Sequence, residues 1–206
     1  MHKIINGYKY LLGRPIILIF GIILFIPFVA AISLNVVTPA YVSNYLGNDS
    51  VVFGIMDMSY GIGAFLAGFI VMCLSSKYKT NNLFIVFFIV SVASLLMMSI
   101  NKFVVIAYIA MLFSGIPNSA IRIMLNSSLM EFVPKSYMGR TMSFLTFIAT
   151  ILQIIFVYSV GVVVDKSGTP YGYAYIAMIM IAAFLGYLYF SPKFNLLLIK
   201  ADEPVW

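Results

Sequence analysis

SGIPNSAIRIMLNSSLMEFVPKSYMGRTMS, residues Ser114 to Ser143, is the stretch on which the reading of this chain turns. It leaves an apolar run through Pro117, Asn118, Arg122 and Asn126, turns at Pro134 and Lys135, passes a Gly139-Arg140 pair and becomes apolar again. Asn118, Arg122 and Asn126 follow one another at steps of four, which places them on one face of a helix. A polar face in so apolar a segment needs a partner other than lipid.

The composition around this stretch explains why lipid is the reference. The chain has 206 residues, of which 63% are hydrophobic and 9% charged, and its mean hydropathy is +1.08. A soluble domain of that length cannot bury so much apolar surface, so the chain reads as an integral membrane protein. Its one cysteine, Cys73, lies in an apolar run and has no intramolecular disulfide partner. No metal or other cofactor is expected.

Apolar runs of about 20 residues mark six helices. They cover Ile16 to Val37, Val51 to Leu74, Leu83 to Ile100, Phe103 to Leu125, Met142 to Val164 and Tyr173 to Phe190. Helices are required because hydrocarbon leaves no solvent partner for a free backbone N–H or C=O, and the alternating pattern of a membrane barrel is missing. The expected class is therefore an all-α membrane protein. It divides into a cytoplasmic amphipathic segment (1–14), a six-helix transmembrane domain (15–192) and a cytoplasmic tail (193–206).

Charge supplies the orientation. When successive connections alternate sides, Lys3, Lys9, Arg14, Lys77, Lys79, Lys135, Arg140, Lys193 and Lys200 fall together, against Lys102 and Lys166 on the other side. This bias places both termini in the cytoplasm and accounts for the net charge of +6 without a nucleic-acid partner. Arg122 is left inside a span. The first 14 residues carry Ile4, Ile5, Tyr8, Leu11 and Leu12 among their lysines, the pattern of a helix lying on the membrane surface.

Polar residues then sort the helices. Helix one holds Pro27 in its middle and Asn35, Thr38 and Pro39 towards its end. Helix two repeats Gly54, Gly61 and Gly68 every seven residues and adds the close-approach pairs Gly63/Ala67 and Ala64/Gly68, so neighbouring helices are expected to grip it. Asp57 stands about 9 Å in from its outer end by helical rise and reads either as a substrate- or proton-handling acid or as an interfacial structural one. Thr146, Thr150 and Gln153 form a second stripe on helix five. Helices three and six, with few polar residues, look lipid-facing. Arg122 has two readings, a pathway residue or a cation snorkelling towards the cytoplasmic face. A direct pair with Asp57 is not expected, because the two lie towards opposite ends of their spans.

Three segments together resemble one family: NGYKYLLGRP leading into helix one, GIMDMSYGIGAFLAG in helix two, and MEFVPKSYMGRTMSF between helices four and five. They look like the carboxyl-terminal half of a major facilitator superfamily transporter of the macrolide-efflux, drug-exporter type. Val133-Pro134, Gly139-Arg140 and Ser143 carry most of the specificity. The resemblance implies two inverted three-helix repeats, a cavity lined by helices one, two, four and five, and export of a small lipophilic substrate, coupled to protons. It also implies a second six-helix half, as a separate chain or a second copy; without one the chain would be a truncated or non-transporting membrane protein. The connection after helix two, SSKYKTNN, departs from the family's loop signature by lacking its acidic residue, whereas Gly161, Asp165, Lys166 and Gly168 repeat a related pattern after helix five. The implied pathway residues are Asn35, Asp57, Asn118, Arg122, Asn126, Thr146, Thr150 and Gln153, and the loop motif is Pro134, Gly139 and Arg140.

An enzyme is not expected. No span contains a histidine or paired carboxylates to serve a nucleophile or hold a metal. ATP-driven transport lacks the phosphate loop it would need.

Overall fold

A computed structural model describes residues 15–47 and 49–201 of the chain. The amphipathic segment 1–14, with His2 and its lysines, lies outside them, as do residues 202–206. Among the described residues the architecture is six long helices: α1 (Pro15–Ala40), α2 (Ser50–Ser75), α3 (Thr80–Ile100), α4 (Val104–Phe132), α5 (Lys135–Ser167) and α6 (Thr169–Ala201). All six are long and apolar enough to cross a bilayer, and no strand is present among these residues. The protein is a multi-pass, all-α membrane protein.

Several helices outrun their apolar stretches. α4 continues past Leu125 to Phe132, and α5 begins at Lys135 rather than Met142. Hydropathy marks the part that crosses hydrocarbon, whereas intrahelical hydrogen bonds go on satisfying the backbone beyond it. The connection between α4 and α5 is consequently only Val133 and Pro134, and Gly139 and Arg140 are helical. The expected cytoplasmic turn through Gly139-Arg140 is corrected to a two-residue joint. Pro134 suits that joint, because its fixed φ of −52° leads into a helix whose first backbone N–H groups need no intrahelical acceptor. α1 also runs on beyond Val37 and ends in a wide turn, Tyr41–Tyr45, where the Leu46 N–H donates to the Tyr41 carbonyl at 3.0 Å.

The packing has an internal symmetry. α1 packs on α5 and α6, α4 packs on α2 and α3, α1 meets α4, and α3 meets α6. Exchanging α1 with α4, α2 with α5 and α3 with α6 converts this set of contacts into itself. Because each unit contains three helices that alternate in direction, the second unit must run inverted with respect to the first.

α3 and α6 form the back of the bundle with α1. Phe20, Phe84, Phe88, Phe184 and Tyr187 bring their rings together there, for example at 6.1 Å between Phe20 and Phe84 and 5.5 Å between Phe84 and Tyr187. Such edge and tilted contacts each add about 0.5–1.5 kcal/mol beyond burial. Tyrosines fasten both ends. The Tyr187 hydroxyl donates to Asn81 Oδ1 at 2.5 Å, and at the opposite end Tyr41 donates to the Asn101 carbonyl at 2.6 Å while Thr38 and Tyr173 share a bond of 3.0 Å.

This back layer corrects the view of α3 and α6 as simply lipid-facing. In the membrane-crossing window 44% of α3 and 33% of α6 are buried within the chain, against 17% of α2 and 11% of α5. Lipid and a neighbouring helix are equally apolar surroundings, so hydropathy does not separate them.

Candidate functional site

The site begins with two glycines. Gly63 on α2 and Gly115 on α4 face each other so closely that a Cβ on Gly63 would stand 2.2 Å from the Leu112 carbonyl oxygen, and one on Gly115 2.2 Å from that of Tyr60. Only hydrogen fits in either place, and the two backbones meet directly. This approach carries Tyr60, three residues before Gly63, to Asn118, three residues after Gly115. Asn118 Nδ2 donates a short hydrogen bond to the Tyr60 hydroxyl.

From that bond a groove opens along α1, α2 and α4. It encloses about 240 Å³ and is lined by Phe28, Ala31, Ile32, Asn35, Tyr60, Asn118, Ser119 and Arg122. A smaller pocket of about 30 Å³ adjoins it, with Asp57, Thr38 and Phe53 added to the shared Ala31, Asn35 and Tyr60. That space holds one or two waters. Each three-helix unit contributes a proline next to the groove, Pro27 before Phe28 and Pro117 before Asn118. Each proline deprives the carbonyl four residues earlier of its intrahelical donor, which loosens the helix there.

Arg122 settles into this groove rather than extending along its own helix. Its guanidinium lies over the Phe28 ring of α1, 4.9 Å from the centroid. By helical rise it is about 6 Å past the middle of α4, three residues before the apolar run ends at Leu125. A cation–π contact contributes about 0.5–2 kcal/mol and so offsets part of the insertion cost of an intramembrane arginine, about 2.5–3.5 kcal/mol. Asp57 and Arg122 line adjoining pockets, and Tyr60 lines both.

The chain matches the family model described as Major Facilitator Superfamily over residues 9–204. It belongs to the major facilitator superfamily. The match spans nearly the whole sequence, and it agrees with six apolar helices packed as two inverted units. This is a family of membrane transporters, not of enzymes. No curated protein matches the chain.

Within this superfamily fold the residues singled out in the sequence separate into two groups. Asn35, Asp57, Asn118 and Arg122 meet around the groove. Asn126, one turn past Arg122, is half-buried and outside the groove lining. Thr146 and Thr150 are exposed on α5 and Gln153 is half-buried; the Thr150 hydroxyl donates to the Thr146 carbonyl at 2.9 Å, within its own helix. Pro134 and Gly139 are exposed at the α4–α5 joint, and Arg140 stacks at 5.8 Å on the Tyr137 ring. The sequence reading omitted Tyr60, Ser119 and Phe28. Tyr60 had a signal, since it is three residues from Asp57 on the same helical face. Phe28 had none, because nothing distinguishes it from the other apolar residues of α1.

Proposed function

We propose that this major facilitator superfamily chain is one six-helix half of an exporter of small lipophilic molecules. The observation that carries the reading is the groove at Asn35, Tyr60, Asn118 and Arg122, a polar recess of about 240 Å³ in an otherwise apolar bundle. Supporting it, α2 and α5 are the helices least buried within the chain, which leaves their outer faces for a second half. That half is a separately encoded chain or a second copy of this one, and substrate passes between the two as they rock. Both termini are cytoplasmic, in keeping with the basic connections at Lys77, Lys79, Lys135 and Arg140. Asp57 takes up and releases the coupling proton. The α5 stripe at Thr146, Thr150 and Gln153, with Asn126, completes the path once the second half is present.

The test is accumulation in cells that express the chain together with the candidate second half. A panel of lipophilic dyes and antibiotics should reveal at least one that accumulates less, and a protonophore should restore it. Arg122→Ala should abolish that export while the chain still inserts. Unchanged accumulation across the whole panel would favour a non-transporting assembly partner instead.

A further inference from the structure

We infer that the groove seats the negatively charged head of an amphiphilic substrate, with Arg122 and Tyr60 as its donors and Phe28, Ala31 and Ile32 as the wall for its apolar body. The inference rests on the transporter reading and narrows it from lipophilic molecules in general to lipophilic anions carrying a carboxylate, sulfonate or phosphate.

Three features of the groove converge on this. Arg122 is a positive charge lining the groove, and among the described residues its guanidinium meets a ring face and no hydrogen-bond acceptor, which leaves its N–H groups available to a ligand. Five N–H donors in a planar fork match the two oxygens of a carboxylate or phosphate. Secondly, the Asn118 amide donates to the Tyr60 oxygen, so the Tyr60 proton is free to be donated in turn. The Ser119 hydroxyl is a third group that can donate. Thirdly, the lining is uneven. Phe28, Ala31 and Ile32 on α1 are apolar, with Asn35 the one polar residue that helix adds, whereas Tyr60, Asn118, Ser119 and Arg122 from α2 and α4 are all polar. A solute with one charged end and one apolar body fits both walls together.

Asp57 bears on the alternative of a cationic substrate. Asp57 is exposed and lines the smaller adjoining pocket, which has room for one or two waters, whereas Arg122 lines the groove of about 240 Å³. The volume and the arginine are in the same place.

The probe pair is 1-naphthoate and 1-naphthamide, which share a ring system and differ in the charge of the head. Binding of each to the purified full chain in lipid nanodiscs, read by ligand fluorescence, should favour naphthoate at least tenfold. Arg122→Gln should bring the ratio close to one while naphthamide binding is unchanged, Arg122→Lys should keep part of the preference, and Tyr60→Phe should lower naphthoate affinity several-fold. Size-exclusion profiles identify any variant that fails to fold, and Arg122→Lys then carries the test. Equal binding of the two probes, no binding of either, or a preference that survives Arg122→Gln would each overturn the inference. The exporter reading fails separately: an Arg122-dependent preference without any export supports the anion site and rejects the exporter. Conversely, export confined to neutral or cationic dyes and indifferent to Arg122→Gln supports the exporter and rejects the anion site.

Discussion

The α2–α4 and α1–α5 contacts both join one inverted unit to the other and are exchanged when the units are exchanged, yet they are built differently. Where α2 crosses α4, Gly63 and Gly115 put backbone against backbone. Where α1 meets α5, Gly21 faces the δ-methyls of Leu145, and a Cβ there would stand 2.8 Å from each. A carbonyl oxygen in a helix has nowhere to go, whereas the end of a leucine can change rotamer. One contact is rigid and the other adjustable. The groove residues Tyr60, Asn118 and Arg122 all belong to the rigid pair, while α1, which supplies Phe28 and Asn35, is held to α5 by side chains. Binding groups are thus fixed relative to one another, and the wall opposite them is the part left free to shift.

The largest effect should come from breaking the rigid contact. Gly63→Ala and Gly115→Ala each force a methyl into a backbone carbonyl, and we expect about 3 kcal/mol of destabilisation, the upper end for overpacking. Thermal unfolding of the chain in detergent checks this. Combining the two should cost less than their sum, because both open the same crossing. Retention of wild-type stability by both variants would remove the distinction between the two contacts.

Tyr60→Phe should come next, at about 1 kcal/mol. It deletes the hydrogen bond that ties α2 to α4 and leaves the buried Asn118 amide a donor without an acceptor. Intramembrane side-chain bonds average about 0.6 kcal/mol, and an orphaned donor adds to that. Asn118→Ala in the Tyr60→Phe background should then change stability little, and the double-mutant cycle measures the coupling.

On the adjustable side, Gly21→Ala should cost about 1 kcal/mol or less, since the Leu145 side chain can move aside. Leu145→Val shortens the obstructing side chain and should reduce the penalty of Gly21→Ala when the two are combined, though Leu145→Val alone loses packing. An equally large penalty in both backgrounds would show that α1 and α5 are as tightly fixed as α2 and α4.

The extent to which these features could be read from sequence follows the same division. Six spans were legible because about 20 apolar residues in a row have few other uses, and Asn118 and Arg122 were legible because polar residues in such a run are expensive. The difference between the glycine stripes was not legible. Gly63 begins one pattern and Gly54, Gly61 and Gly68 form another, and both read as close-approach surfaces. Only the rotation of α2 against α4 decides that Gly63 is buried while the other three face outwards with nothing within 4 Å. Phe28 was invisible for a related reason, since its role depends on which helix lies across from it. Joints such as Val133-Pro134 were blurred because helices continue after hydropathy ends.

Those outward glycines give the smallest effect and the sharpest use of the comparison. Gly61→Ala meets open space, so the isolated chain should stay within about 0.5 kcal/mol of wild type, with the helix propensity of alanine favouring a slight gain. A bulky Gly61→Leu should likewise leave the thermal unfolding of the isolated chain almost unchanged. If a second half seats on α2, however, the leucine occupies the approach surface, and export should fall although folding does not. Stability and export therefore part company at Gly61 and move together at Gly63. Loss of stability in the isolated Gly61→Leu chain would mean that α2 already packs on that face, whereas full export would mean that the second half docks elsewhere, with α5 and its exposed Phe147, Ile151 and Ile154 as the next surface to alter.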